Sequence, residues 1–226
     1  MKIILTGSTG FIGTAVLTHC LSHPAITSVL ALTRRPLPLT HPKLTPILHA
    51  DFTTYPPALL AQLQGAAACI WALGAPTAGR EVHLACTLAA ANAFATHLAP
   101  LLAGNSDGGG ERPRFHFVQV SGGFVSRDQD ASLYFLSEKR KMRGELETRL
   151  ASFNDEYPET WRTTVARPLG VTGDALVWKA LPGGWFIPVE ELAAGLVDLA
   201  INGEGEVFME NGALRRRGQE ALAALG

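Results

Sequence analysis

The first thirteen residues constrain this chain more than any other stretch. Residues 2–5 read Lys-Ile-Ile-Leu, an apolar run of strand length, and lead directly into Thr6-Gly7-Ser8-Thr9-Gly10-Phe11-Ile12-Gly13. Three glycines at a spacing of three, between a strand and a helix-like stretch, form the kind of turn that holds a pyrophosphate. Gly7 lets the chain turn sharply, Gly10 lets backbone N–H groups approach phosphate oxygens, and Gly13 lets the helix close on the strand. Ser8, Thr9, Phe11 and Ile12 complete the loop and the first helical turn.

The rest of the chain fits that opening. Apolar strand-like runs at residues 2–6, 28–33, 44–50, 66–72, 114–120 and 162–167 alternate with helical patterns at 11–21, 57–64, 80–102, 138–153 and 189–201. Such alternation predicts a Rossmann-type α/β fold: a doubly wound, mainly parallel sheet with helices on both faces. Residues 1–226 are expected to form a single dinucleotide-binding domain. The Gly/Ser/Asp-rich stretch at 104–113 is expected to be a flexible surface loop. Residues 170–188, rich in Gly, Trp and Pro, are expected to make a small irregular C-terminal cap on the substrate side.

Composition narrows the function classes. A net charge of −1 offers no basic surface for nucleic acid or for a membrane. Three cysteines without metal spacing are expected to be buried thiols. No apolar run is expected to reach the length of a membrane span, and without a leader pattern the expected location is the cytoplasm.

The end of the second strand discriminates between nicotinamide cofactors. A carboxylate there bonds the ribose 2′-hydroxyl, whereas arginine accepts a 2′-phosphate. This chain has Thr33-Arg34-Arg35-Pro36, so Arg34 and Arg35 point to NADP(H); a pair of solvated surface arginines is the plainer alternative. Asp51, followed by Phe52, can accept from an adenine amino group or simply form a turn. Leu73 and Gly74 are expected against the adenosine, with Trp71 either a wall of that site or core.

With these motifs in hand, the chain resembles the short-chain dehydrogenase/reductase superfamily, closest to the compact branch of NmrA-like regulators and Tat-interacting oxidoreductase-like proteins. Thr6 to Gly13, Arg34-Arg35, Val120-Ser121-Gly122, Arg143-Gly144-Glu145-Leu146-Glu147, Ala166-Arg167-Pro168-Leu169-Gly170 and residues 187–193 carry the resemblance. It implies that Ser121 bonds a substrate carbonyl oxygen, that Pro168 borders the cofactor, and that a tyrosine and a lysine four residues apart handle the proton and the ribose. That pair is absent, because Tyr134 is followed at the fourth position by Glu138. In helical projection Phe135, Met142, Leu146, Leu150 and Phe153 share a face within about 40°, with Lys139 about 20° and Arg143 about 60° from its centre. Lys139 then stands at the usual tyrosine position and Arg143 at the lysine position. Lys139 would donate a proton with a lowered pKa or stabilise an oxyanion as a cation. Alternatively, Lys139, Arg143 and Glu147 form a solvated charge ladder. Tyr134 is a reserve proton donor if the helix starts after it, and otherwise packs as an aromatic.

The expected substrate is a small hydrophobic carbonyl compound, with aromatic walls from residues 122–125 and from Trp178, Trp185 and Phe186. Three functions fit: an NADP(H)-dependent oxidoreductase, a redox-neutral isomerase or cyclase, and a non-catalytic NADP(H) sensor. Either a monomer or a homodimer is compatible with the sequence.

Overall fold

A computed structural model of the chain describes residues 1–74, 79–104, 112–173, 184–203 and 206–225. The strands are β1 (Lys2–Thr6), β2 (Ser28–Thr33), β3 (Leu44–Leu48), β4 (Ala68–Trp71), β5 (Phe115–Val120), β6 (Trp161–Arg167), β7 (Gly170–Thr172), β8 (Phe186–Pro188) and β9 (Phe208–Glu210). Seven of them form one sheet in the order β3-β2-β1-β4-β5-β6-β9. Every pairing in that sheet is parallel. The strand order reverses beside β1, and all carboxyl ends lie along one edge, which places a crevice there.

The helices are α1 (Phe11–Ser22), α2 (Pro57–Leu63), α3 (Cys86–Ala93), α4 (Ala99–Gly104), α5 (Ser137–Glu156), α6 (Val189–Asn202) and α7 (Asn211–Leu225). Alternation along the strands divides the core between two faces. Ile4, Trp71, Phe94, Phe115, Phe117, Leu146 and Trp161 pack on one side, and Ile3, Leu5, Val16, Val118, Leu192 and Leu196 on the other. Trp71 is fully buried and stacks on Phe117 at 5.9 Å, so it belongs to the core. All three cysteines are buried thiols outside any disulfide.

Several expectations need correction. Residues 170–188 are not wholly irregular, because β7 and β8 pair in parallel as a two-stranded sheet; Trp178 lies outside the described residues. The helical stretch after β4 is interrupted by wide π turns at Glu81–Ala85 and Phe94–Leu98. Its span Val82–Gly104 runs 23 residues and is as long and apolar as a membrane-crossing helix, contrary to expectation. Within this fold its inner face, including Leu84, Ala90, Phe94 and Leu98, packs into the core. Finally, β9 and α7 extend the fold beyond the last helix expected. The three residues of β9 are too short for a periodicity to show. The two terminal helices meet backbone to backbone: a Cβ on Gly218 would lie 1.8 Å from the Glu191 carbonyl oxygen.

Candidate functional site

The glycine turn follows β1 directly. Gly7 has φ +71°, a left-handed conformation, and an added Cβ would sit 2.3 Å from the Ala72 carbonyl oxygen. A Cβ on Gly13 would lie 2.0 Å from the Gly7 carbonyl oxygen, so α1 can close on the turn only with glycine there. Gly10 donates its N–H to Gly7 O at 2.8 Å, and Thr14 Oγ1 donates to Ser8 O at 3.1 Å. No side chain caps the N-terminus of α1, and its first turn holds no acid. The helix start therefore presents N–H groups and a positive dipole end towards the crevice. Ser8 is buried, and its hydroxyl has no hydrogen-bond partner among the described residues. A negatively charged diphosphate suits this set of donors.

Two hollows flank the turn. A small one of about 40 Å³ lies between Gly7, Ser8 and Thr9 and the end of β2, where exposed Arg34 and Arg35 line it. Thr33 braces that strand end, donating its hydroxyl to Arg35 O at 2.8 Å. Arg34 also borders the second hollow, about 370 Å³, together with Asp51, buried Phe52, Leu73, Gly74 and Val82. Asp51 is occupied by its own turn, accepting from Thr53 N at 2.9 Å, Thr53 Oγ1 at 2.5 Å and Thr54 Oγ1 at 3.1 Å. These bonds hold its carboxyl below the usual range. The turn-forming alternative thus describes Asp51 as it stands. Phe11 is mostly exposed and rests near Gly173, where a Cβ would be 3.3 Å from its ring.

A cavity of about 660 Å³ opens at the ends of β5 and β6 and is bordered by Ile12, Ser121, Lys139, Arg143 and Pro168. Its loop, residues 121–128, is anchored to both neighbours. Ser121 N donates to Ala166 O at 2.8 Å and Gly123 N to Pro168 O at 2.9 Å, continuing the β5–β6 ladder. On the other side Ser126 N donates to Arg140 O at 3.1 Å, and Arg140 Nε donates to Phe124 O at 2.5 Å. Gly144 permits this contact, because a Cβ there would fall 1.8 Å from the Ser126 carbonyl oxygen. Arg143 lies over Gly122, with Nη1 2.8 Å from where a Cβ would stand. Lys139 and Arg143 both border the cavity, but Lys139 is exposed there and not packed, and Phe135, expected on the same packed face, stands ahead of α5 and is mostly exposed.

Beneath the cavity runs a network that the sequence reading did not assign. Ser121 Oγ donates to Glu147 Oε1 at 2.6 Å. Arg167 Nε donates to Glu147 Oε2 at 3.0 Å, its Nη2 donates to the same oxygen, and its Nη1 reaches Glu210 Oε1 at 2.7 Å. The Arg167 guanidinium also lies 4.5 Å from the centre of the Phe208 ring. Glu147 is completely buried, so the solvated Lys139–Arg143–Glu147 ladder does not exist. The expected role of Ser121 also changes. Its one proton is committed to an ion-paired carboxylate, which leaves lone pairs, not a donor, for a ligand.

Tyr134 is displaced from both of its expected places. It precedes α5, which leaves it the freedom of a loop, but its side chain is fully exposed and does not border the cavity. The neighbouring Phe135 and Leu136 line the cavity instead. Phe124 lines it as well and tilts against Trp185, with ring centroids 5.7 Å apart. Buried Asn211 accepts from Leu169 N at 3.0 Å and donates to Gly184 O at 2.8 Å, tying this wall to the start of α7.

No family model matches the sequence. Over 78 residues the chain is 38% identical to "Leucinostatins biosynthesis cluster protein T" of Purpureocillium lilacinum, a match covering 34% of this chain and only 29% of that protein. Solved structures align far more widely. A short-chain dehydrogenase from Burkholderia cenocepacia in complex with NADP matches with TM-score 0.66 and 19% identity, over 99% of this chain and 92% of that one. The oxidoreductase ylbE from Lactococcus lactis matches with TM-score 0.66 and 17% identity, over 99% and 97%. Uronate dehydrogenase from Agrobacterium tumefaciens matches with TM-score 0.65 and 13% identity, over 93% and 76%. This chain has the Rossmann-like α/β fold of these proteins.

Proposed function

We propose that the protein is an NADP(H)-dependent oxidoreductase acting on a small hydrophobic carbonyl compound. One observation carries the reading: an anion-receptive glycine turn, a hollow edged by Arg34 and Arg35, and a mostly apolar cavity lie along the carboxyl edge of one parallel sheet. Gly7 to Gly13, with the hydroxyl of Ser8, would receive the pyrophosphate. Arg34 and Arg35 would receive the 2′-phosphate, and Phe52, Leu73 and Gly74 the adenosine. Arg143, Ile12 and Pro168 would border the nicotinamide half. When bound, that group supplies or accepts a hydride.

The chain's own residues then act on the substrate oxygen. Lys139 and Arg143 place positive charge where negative charge develops on that oxygen, and Lys139 has a proton to give. Ser121, held by Glu147, accepts a hydrogen bond from a substrate hydroxyl or from the amine of a neighbouring group. Phe124, Phe135 and Leu169 keep water from the apolar part of the substrate.

A second reading, a redox-neutral isomerase or cyclase, draws on the exposed position of Tyr134 and the pairing of two cations at the cavity. Two cations stabilise an enolate without any redox change. The test is a panel of hydrophobic ketones and enones incubated with NADPH while nicotinamide absorbance and product are followed together. Consumption of NADPH with formation of alcohol or saturated product supports the first reading. Conversion without any absorbance change supports the second, and cofactor binding without turnover of any compound removes both.

A further inference from the structure

We propose that the 660 Å³ cavity selects carbonyl compounds with a hydroxyl on the neighbouring carbon, and that Glu147 sets this preference by fixing the polarity of the Ser121 hydroxyl. This rests on the reading of the site given above and names the class of its substrate.

Hydrogen-bond polarity is the first observation. Ser121 borders the cavity, and its Oγ lies 2.6 Å from Glu147 Oε1. A carboxylate paired with a guanidinium has no proton to give, so the hydroxyl is the donor. Turning that proton towards a ligand would strip a charge-assisted bond from a carboxylate that is completely buried. Arg167 grips the other oxygen, Oε2, through Nε and Nη2, which fixes the carboxylate with Oε1 facing Ser121. The backbone donors on either side of Gly122 are occupied as well. Ser121 N is bonded to Ala166 O at 2.8 Å and Gly123 N to Pro168 O at 2.9 Å. A ligand group that meets Ser121 must therefore bring the proton, which a hydroxyl does and a carbonyl or ether oxygen does not.

Placement is the second. Arg143 lies over Gly122, the residue next to Ser121, with Nη1 2.8 Å from where a Cβ would stand. A cationic subsite and an acceptor subsite thus adjoin, and they suit two different oxygens of one molecule. The carbonyl oxygen keeps its place at Lys139 and Arg143, and the hydroxyl on the neighbouring carbon meets Ser121. The loop holds this arrangement. Ser126 N is bonded to Arg140 O at 3.1 Å, and Arg140 Nε to the Phe124 carbonyl oxygen at 2.5 Å. Phe124 itself has a left-handed φ of 59°, which a bulky residue keeps only when its surroundings enforce it. An acceptor held this firmly discriminates against a ligand that leaves it unpaired.

The test titrates three probes into the purified protein, with and without saturating NADP+: 1-hydroxy-4-phenylbutan-2-one, its methyl ether, and 4-phenylbutan-2-one. The hydroxy ketone should bind about tenfold tighter than either of the others. Ser121→Ala should reduce that ratio to within about twofold. Glu147→Gln reads the polarity itself. Arg167 can only donate, so the carboxamide turns its oxygen to Arg167 and its NH2 to Ser121, which frees the Ser121 proton for the cavity. The preference should then vanish or reverse in favour of the ether and the ketone. Each ratio is read within one protein, so lost stability alone does not move it; if Glu147→Gln does not fold, the wild-type and Ser121→Ala ratios decide. Equal affinity for hydroxy ketone and ether in the wild type overturns the inference. So does a preference that persists in Ser121→Ala or in folded Glu147→Gln, or no saturable binding of any probe. A separate titration with NADP+ distinguishes the two claims. Failure there removes the cofactor reading, while the probe titrations without cofactor still decide the hydroxyl preference.

Discussion

Glu147→Gln is the substitution with the most instructive expected cost. The side chain of Glu147 is fully buried, that of Arg167 is 15% exposed, and the two are joined through both a guanidinium Nε and Nη2. Glutamine preserves the volume but removes the charge. Among the described residues Arg167 then keeps one carboxylate partner, Glu210, whose side chain is 64% exposed. Breaking a buried ion pair from one side costs about 3–5 kcal/mol, because the survivor stays desolvated. The remaining Glu210 contact argues for the lower end, about 3 kcal/mol. For a chain of this size that lowers Tm by about 6–12 °C. Urea or thermal unfolding followed by circular dichroism reads the loss. Removing both charges with Glu147→Leu and Arg167→Met should cost less than the sum of the two single changes, by about 2 kcal/mol in a double-mutant cycle. A Glu147→Gln protein within about 1 kcal/mol of the wild type, or an additive cycle, would refute the idea that this buried network anchors the loop carrying Ser121.

Arg34→Ala combined with Arg35→Ala should weaken NADPH binding about 30-fold or more and NADH binding no more than about threefold, as measured by calorimetry, since each charge-assisted bond to a phosphate contributes about 1.5–3 kcal/mol. Gly144→Ala should cost about 1–3 kcal/mol in urea unfolding and reduce ligand binding in the large cavity, because the new Cβ meets the Ser126 carbonyl oxygen at 1.8 Å and must displace the loop. The imidazole of His116 is held down at about 3 by burial, with Arg162 adding to the effect. The native state therefore refuses a proton that the unfolded chain accepts below about 6.5, and stability falls as pH drops from about 6.5 towards about 3. At pH 5 the wild type should have lost about 2 kcal/mol more, relative to pH 7.5, than His116→Gln, as read from urea midpoints.

The fold was legible because its signals are local. An apolar run ending in Gly7, Gly10 and Gly13, and strands rich in Val, Ile and Leu, require only periodicity and turn chemistry to read. The end of α6 was marked equally clearly by Gly203, whose left-handed φ of 62° stops the helix. The missed elements lack such marks. Phe208–Glu210 holds its place through three ladder partners on β6, and α7 through a glycine contact across to α6. Neither dependence is visible along the chain. At the site, helical projection put Lys139 and Arg143 towards the packed side of α5; both border the cavity, where Lys139 is exposed. The projection said nothing of Ser121, Glu147 and Arg167, which come from a loop, a helix and a strand 20 or more positions apart. An acid next to the apolar centre of the α5 face was the available hint, and its partner could be known only from the pairing of β5 with β6. Tyr134 was misjudged for a related reason. The segment before α5 leaves Tyr134 in solvent while both Phe135 and Leu136 border the cavity, an arrangement set by the left-handed turn at Leu136 and not by any periodicity.

Calorimetric titration of the purified protein with NADPH and NADH tests the central claim most directly. The expected result is saturable binding of one NADPH per chain, with NADH at least tenfold weaker. No measurable heat or saturation with either dinucleotide would contradict the account at its root, because the glycine turn and the arginine-edged hollow would then serve something else.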